Sequence, residues 1–285
     1  MNIKDKIRDF FYNLKYFFRN LKDILTFKRI IIFIAVTVAV LGGFRLMKLL
    51  NRPKAVDSRL YGKKEITVGV VTGTKLSHAD ENGISGFEKD LMEKMLSDLF
   101  PGSSLRFIEI ESTEASYDLK IKKIDLAIGM FTSGPIKTQG LSLSSGYYTD
   151  NVYAYVTKGS STDDLFSLTN KRVRLLSSDI TKSSVNNMFK KLGINVDLHL
   201  CSSVEDGLES IRSGDCSAFV APGMMVPDDL GLRNIEEPVG QISYRIIMWK
   251  EKDPTLDVIN QELGSLKTNG YIDELCEKYG LMNDQ

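Results

Sequence analysis

Ile66-Thr67-Val68-Gly69-Val70-Val71, running into Thr72-Gly73-Thr74, is the stretch that decides the fold. It is a short β-rich run closed by turn-forming residues. Asn82-Gly83 is a turn signal. Beyond it, Phe87–Leu99 sets Phe87, Leu91, Met92, Met95, Leu96 and Leu99 on one stripe, which predicts a helix. Ser104–Ile110 reads as a second strand, Tyr117–Ile124 as a short helix and Leu126–Ile128 as a third strand. Strands alternating with helices imply a largely parallel sheet.

The pattern then repeats. Arg172–Leu176, Val196–Leu200 and Ala218–Val220 read as strands, separated by helices over Ser183–Leu192 and Val204–Ile211. A strand at Tyr244–Trp249 and helices at Leu256–Leu266 and Ile272–Tyr279 complete the chain. Two successive β-α-β-α-β units predict two similar lobes. Ligands of such sheets sit beyond the carboxyl ends of the strands. With two lobes, those ends face each other across a cleft.

Upstream the texture differs. Residues 30–44 form an uncharged apolar run, and extension to Leu50 adds only Arg45 and Lys48 near its end. A spanning helix needs about 20 residues, with terminal Lys and Arg able to snorkel. Residues 29–50 are therefore expected to be a transmembrane signal anchor. A cleaved signal peptide has a shorter leading region and a small-residue cleavage site, and neither is evident. No Cys follows closely, so a lipoprotein anchor is excluded. Within residues 3–25, Ile3, Ile7, Phe10, Leu14, Phe17 and Leu21 share one face, and Lys4, Arg8, Lys15 and Arg19 lie opposite. This predicts an amphipathic helix over 1–28 lying in the cytoplasmic interface of the lipid bilayer. Residues 51–64, with Pro53, are a linker. The Lys/Arg bias across the anchor is small, eight in residues 1–29 against seven in 45–64. The expectation of a single-pass cell-membrane protein with an extracytoplasmic main domain rests on the common export of long domains that follow a first apolar segment.

Net charge is zero but divided. Residues 1–64 carry 15 Lys/Arg against 4 Asp/Glu, and the remainder 22 against 33. An acidic main domain argues against a nucleic-acid partner, because phosphate binding needs clustered positive charge. Two histidines, His78 and His199, and three cysteines, Cys201, Cys216 and Cys276, show no metal-ligand spacing. No nucleophile–base arrangement and no Walker motif occurs. The expectation is a protein that is not an enzyme and carries no cofactor and no metal.

Five stretches carry a family resemblance. Asn82–Leu91 is similar to D-G-x-x-x-G-F-D-x-D-L, one residue shorter; Lys123–Met130 resembles G-x-x-D-x-x-x-x-G-M; Leu143–Tyr148 resembles F-S-x-P-Y-Y. Ile211–Val220 is similar to L-x-x-G-x-x-D-A-x-x, and Lys267–Gly280 follows the family's ending. Together they resemble type II periplasmic solute-binding proteins, the bacterial extracellular solute-binding protein family 3 that serves amino-acid ABC importers. The resemblance implies an α/β two-lobed fold. Lobe 1 would be 65–150 plus 245–285 and lobe 2 would be 151–244, with crossing strands near Tyr148–Tyr153 and Ile242–Ile246. It implies closure of the lobes over a small-molecule solute and an ABC permease as partner.

The pocket positions depart from the amino-acid pattern. A ligand carboxylate calls for a bidentate guanidinium and a ligand ammonium for a carboxylate. The position matching the family Arg is Lys137, and that matching the family Asp is Ala221, before Pro222. The stacking aromatic is replaced by Thr74-Lys75-Leu76. The candidate ligand-binding residues are Thr72, Leu76, Phe131, Thr132, Ser133 and Lys137 in lobe 1, with Ser177, Ser178, Thr181 and Ala221 in lobe 2. Ser178-Asp179-Ile180-Thr181 precedes a helix, where free N–H groups attract anions but where Ser and Thr also serve as caps. Two readings follow: a receptor for a different small polar solute, or a degenerate domain acting as a membrane-tethered sensor or protein-interaction module.

Overall fold

The computed structural model describes residues 54–133, 140–176, 182–228 and 230–281, together with Ile34 and Thr37. The expected amphipathic helix and membrane anchor lie outside these residues, Ile34 and Thr37 apart. Among the described residues no helix is long and apolar enough to cross a membrane. The chain divides into Met1–Pro53 and Lys54–Gln285, and all that follows concerns the second unit.

Its strands are β1 (Glu65–Val70), β2 (His78–Asp80), β3 (Gly83–Ser85), β4 (Ser104–Glu109), β5 (Leu126–Phe131), β6 (Leu141–Thr157), β7 (Arg172–Leu176), β8 (Asp197–Cys201), β9 (Ala218–Pro222), β10 (Leu232–Asn234) and β11 (Gly240–Trp249). Its helices are α1 (Phe87–Leu99), α2 (Ala115–Lys120), α3 (Lys182–Lys191), α4 (Val204–Arg212), α5 (Thr255–Thr268) and α6 (Tyr271–Lys278).

The main sheet runs β4-β1-β5-β11-β6-β9-β7-β8, with β10 on β6. Its two ends are built alike. β1 pairs in parallel with β4 and β5, and β7 pairs in parallel with β8 and β9. Each triplet has its first strand in the middle, the order that right-handed β-α-β crossovers produce. Between the triplets, β6 and β11 run antiparallel, from Leu141↔Trp249 to Val152↔Gly240. β11 also lies against β5, and β6 against β9. The result is a two-lobed α/β fold whose halves share one long antiparallel pair.

The helix α1 follows its sequence stripe: Phe87, Leu91, Met92, Met95 and Leu96 are all buried. Burial of each such side chain contributes roughly 1.5–3 kcal/mol as an upper estimate. This face packs with Val258, Ile259 and Leu263 of α5 and Ile272 and Leu275 of α6. The opposite face of the first triplet is covered by Ala115 and Leu119 of α2, against Ile110, Ile124, Ala127, Phe131 and Ile247.

One element adds to the sequence reading and one differs from it. The Asn82-Gly83 signal marks a small hairpin of β2 and β3, with Asn82 N–H bonded to the Asp80 carboxylate at 2.7 Å. The helix expected over Tyr117–Ile124 instead spans Ala115–Lys120. It stops because Lys122 takes a left-handed φ of 61° and the Asp118 carbonyl accepts from Lys123 N at 2.9 Å. That turn frees Asp125 to accept from Thr67 N at 3.0 Å and from Lys63 Nζ at 2.6 Å.

Candidate functional site

The loop after β1 is shaped by Thr74. Its hydroxyl accepts from Leu76 N at 3.2 Å and Ser77 N at 3.0 Å, a local turn of the kind Ser and Thr form. The turn folds Leu76 inward until it is fully buried, and Lys75 projects the other way. Lys75 Nζ meets Asp228 Oδ1 at 2.7 Å, so the first half touches the loop after β9 in the second.

Beneath this loop lies Glu88, fully buried at the start of α1. It accepts from Ser77 Oγ at 2.7 Å, from Met130 N at 3.0 Å and from the Tyr147 hydroxyl. Burial pushes its carboxyl above the ordinary glutamate value, and the Tyr147, Ser77 and Met130 donors only partly oppose this. One side chain thus ties together the β1 loop, the end of β5 and β6.

On β6, Asp150 is buried and accepts from Tyr244 Oη at 2.6 Å and Met224 N at 3.0 Å. Burial raises its pKa, against the donors Tyr244, Met224 and Gly223. Asp150 therefore joins both shared strands to the turn Gly223–Met225.

These groups border a cavity of about 500 Å³. Lys75 and Asp228 lie at one side, Asp150 and Asn151 on β6 form its floor, and Tyr153 and Tyr155 continue along that strand. Tyr148, Thr149, Gly223, Met224, Asn234 and Tyr279–Leu281 contribute the remainder of the wall. Residues from both halves thus bound a single space beside the shared strands.

The residues predicted from sequence lie elsewhere around it. Thr72 donates to Glu109. Phe131 is buried in the cluster under α2, Leu76 is in the main core, and Ser133 is half-buried. Thr132 is 3% exposed, and its hydroxyl has no hydrogen-bond partner among the described residues. Ala221 is fully buried opposite Tyr153, in an apolar cluster with Leu176, Leu208 and Phe219. Lys137, Ser177, Ser178 and Thr181 lie outside the described residues. None of the six described positions lines the cavity. Lys75, Asp150, Tyr153 and Asp228 do line it, and one signal was present: Asp150 falls between Tyr147-Tyr148-Thr149 and Val152-Tyr153, in the aromatic and β-branched half of its strand.

Among the described residues no group of three His, Cys, Asp or Glu side chains could hold a metal ion. Cys201, Cys216 and Cys276 are buried free thiols, and burial pushes Cys201 and Cys276 up to about 11, far from a reactive thiolate.

Paired β-α-β triplets on a shared antiparallel ribbon, with a cavity walled by both, define a two-lobed binding protein of the periplasmic type. The chain belongs to the bacterial extracellular solute-binding proteins, family 3, whose model matches residues 66–282. Solved structures agree. The probable amino-acid ABC transporter extracellular-binding protein ytmK of Bacillus subtilis is 17% identical, with 75% of this chain and 97% of that one covered at a TM-score of 0.60. A mutant of ArgBP from T. maritima is 23% identical, with 76% and 95% covered at 0.54. The ancestral amino acid-binding protein AncCDT-1, described as a precursor of cyclohexadienyl dehydratase, is 18% identical, with 76% and 95% covered at 0.55. At these identities the likeness establishes the fold. No curated protein matches the chain.

Proposed function

We propose that this chain is the membrane-tethered solute receptor of an ABC importer, capturing a small polar solute between its lobes outside the cytoplasm. Lobe 1 is taken as 65–150 plus 245–285, and lobe 2 as 151–244. Residues 29–50 anchor the receptor in the bilayer beside its permease, and the acidic main domain has no nucleic-acid partner. The observation that carries this reading is the cavity lined by Lys75 from the first half and by Met224 and Asp228 from the second, beside the shared strand β6. A ligand touching both halves stabilises the closed arrangement, because differential affinity shifts the equilibrium. Relatives of this fold described as amino-acid-binding proteins support a solute of that size.

The test is a thermal-shift screen of the full-length chain in detergent, against amino acids, organic acids, short peptides and oxyanions. A true ligand at 100 times its Kd adds about 2.7 kcal/mol of stability. On a domain this size that raises the midpoint by roughly 5–10 °C. A screen without any shift overturns the reading. Membrane anchoring makes a separate prediction. The full chain requires detergent for extraction, and deletion of residues 1–53 releases the main domain in soluble form. Release of the full chain by high salt alone would remove the anchor from the proposal.

Ala221 favours a second reading. Where the family pattern has a carboxylate, this chain has a methyl group sealed in an apolar cluster. A domain that has lost solute binding would serve as a sensor or interaction module. It would show no ligand shift and would co-purify with a membrane partner through residues 1–53.

A further inference from the structure

We propose that the tyrosine-walled cavity beside β6 takes an organic ammonium ion that carries no carboxylate. This rests on the reading above that the space between the halves holds a solute, and it adds the solute's chemical class.

Among the described residues, three ionisable groups of fixed sign line the cavity: Lys75, Asp150 and Asp228. Lys75 and Asp228 are within 2.7 Å of each other and cancel. Asp150 remains, so the lining carries one net negative charge when ionised. Its oxygens are held by the Tyr244 hydroxyl and the Met224 amide, which fix the carboxylate in place without supplying a counter-charge. A monocation is the complement.

The walls suit the same ligand. Tyr153 and Tyr155 stand with ring centroids 6.5 Å apart and planes at 80°. Tyr148, also on the lining, is nearly parallel to Tyr244. Burial, and then the neighbouring Asp150 charge, pushes the Tyr155 phenol up, so the ring stays neutral. Neutral tyrosine faces attract a cation by their quadrupole, most strongly where water is excluded. Tyr279 already holds the chain's own Lys278 ammonium 5.1 Å from its ring centroid, whereas Tyr153 is a half-buried ring on the lining.

An amino acid is a poorer fit, because its carboxylate needs a cation of its own. Among the described lining residues the cationic side chain is Lys75, and Asp228 occupies it. Where the family pattern has an Asp, Ala221 sits in the apolar cluster on which Tyr153 packs. Ala221 in place of the family pattern's carboxylate, with Asp150 and tyrosines along the neighbouring strand, describes a site with a different charge pattern.

The experiment is isothermal titration of the full-length chain in dodecyl maltoside micelles with choline chloride, with the neutral isostere 3,3-dimethylbutan-1-ol and with a panel of L-amino acids. Choline is expected to bind, and the isostere to bind about tenfold more weakly or not at all. Tyr153→Phe keeps the ring and is expected to keep the affinity. Tyr153→Leu and Asp150→Asn are each expected to lose about tenfold. Unfolding midpoints without ligand identify any variant that fails to fold, and the Phe/Leu comparison at one position survives loss of the Asn variant. Equal binding of choline and its isostere, or unchanged affinity in Tyr153→Leu, overturns the proposal. Binding of an L-amino acid but not choline overturns the ammonium class and leaves solute capture standing. Absence of binding by every compound removes both.

Discussion

Glu88→Ala is expected to lower the unfolding midpoint by on the order of 10 °C, equivalent to about 3–5 kcal/mol. The carboxylate is fully buried and receives three donors: the Ser77 hydroxyl, the Met130 amide and the Tyr147 hydroxyl. Removing the acceptor strands them in a dry site, where an unsatisfied polar group costs roughly 1–3 kcal/mol. Met130 N–H keeps a longer contact to Tyr147 Oη at 3.2 Å, so the loss falls mainly on the two hydroxyls and on the cavity left behind. Glu88→Gln keeps the volume and one acceptor and should cost far less. The two variants also separate by pH. Burial raises the folded pKa above that of the unfolded chain. The stability this contributes is fully present below the ordinary glutamate range, and it is lost as pH rises through the folded value. Thermal melts across that window should therefore show wild type losing stability with rising pH while Glu88→Gln stays flatter. Parallel profiles would mean that Glu88 does not titrate differently on folding. Because the same carboxylate fixes both the β1 loop and the end of β5, Glu88→Ala should also abolish ligand-induced stabilisation in the thermal-shift screen.

What could be read from the sequence was whatever one element decides for itself. Phe87–Leu99 is a helix because its own apolar stripe closes on one face, and the observed bounds are the same. The parallel triplets were legible because β1, β4, β5, β7, β8 and β9 are short runs rich in apolar residues between turn signals. The long strand β6 was legible only in pieces. Its first half, Leu-Ser-Leu-Ser-Ser-Gly, has little strand propensity of its own and is held by pairing with β11. β10 has three residues and exists because β6 offers an edge. The end of α2 turned on one left-handed residue, Lys122, that no periodicity announces.

The site was harder still, since it is made by distance in the chain. Lys75 and Asp228 are separated by 153 positions, and Asp150 and Tyr244 by 94. The positions taken from the family pattern, where described, lie off the cavity lining. Ala221 and Leu76 hold their places in the chain, but here they serve the core.

Gly86→Ala is the second large effect, expected at about 3 kcal/mol of lost stability, with the β1 loop displaced. Gly86 caps α1 with a φ of 124°, a conformation that L side chains rarely adopt. A Cβ there would also lie 2.5 Å from the Leu76 carbonyl oxygen and 2.9 Å from Ser77 Cα, both backbone atoms. Neither neighbour can yield, because the Leu76 carbonyl accepts from Glu88 N at 3.3 Å and so docks the loop onto the start of α1. Gly83→Ala supplies the control. Its φ of 109° carries a similar conformational penalty, but open space surrounds the added methyl. Thermal unfolding of the two variants should therefore place Gly86→Ala well below Gly83→Ala. The difference measures the close approach rather than the backbone angle. The displaced loop should also pull Lys75 from Asp228 and so disturb the cavity wall that both residues line. Choline affinity in Gly86→Ala should fall while Gly83→Ala binds as wild type does. Equal losses of stability in both variants would show that the contact between Gly86 and Leu76 contributes nothing to holding the loop.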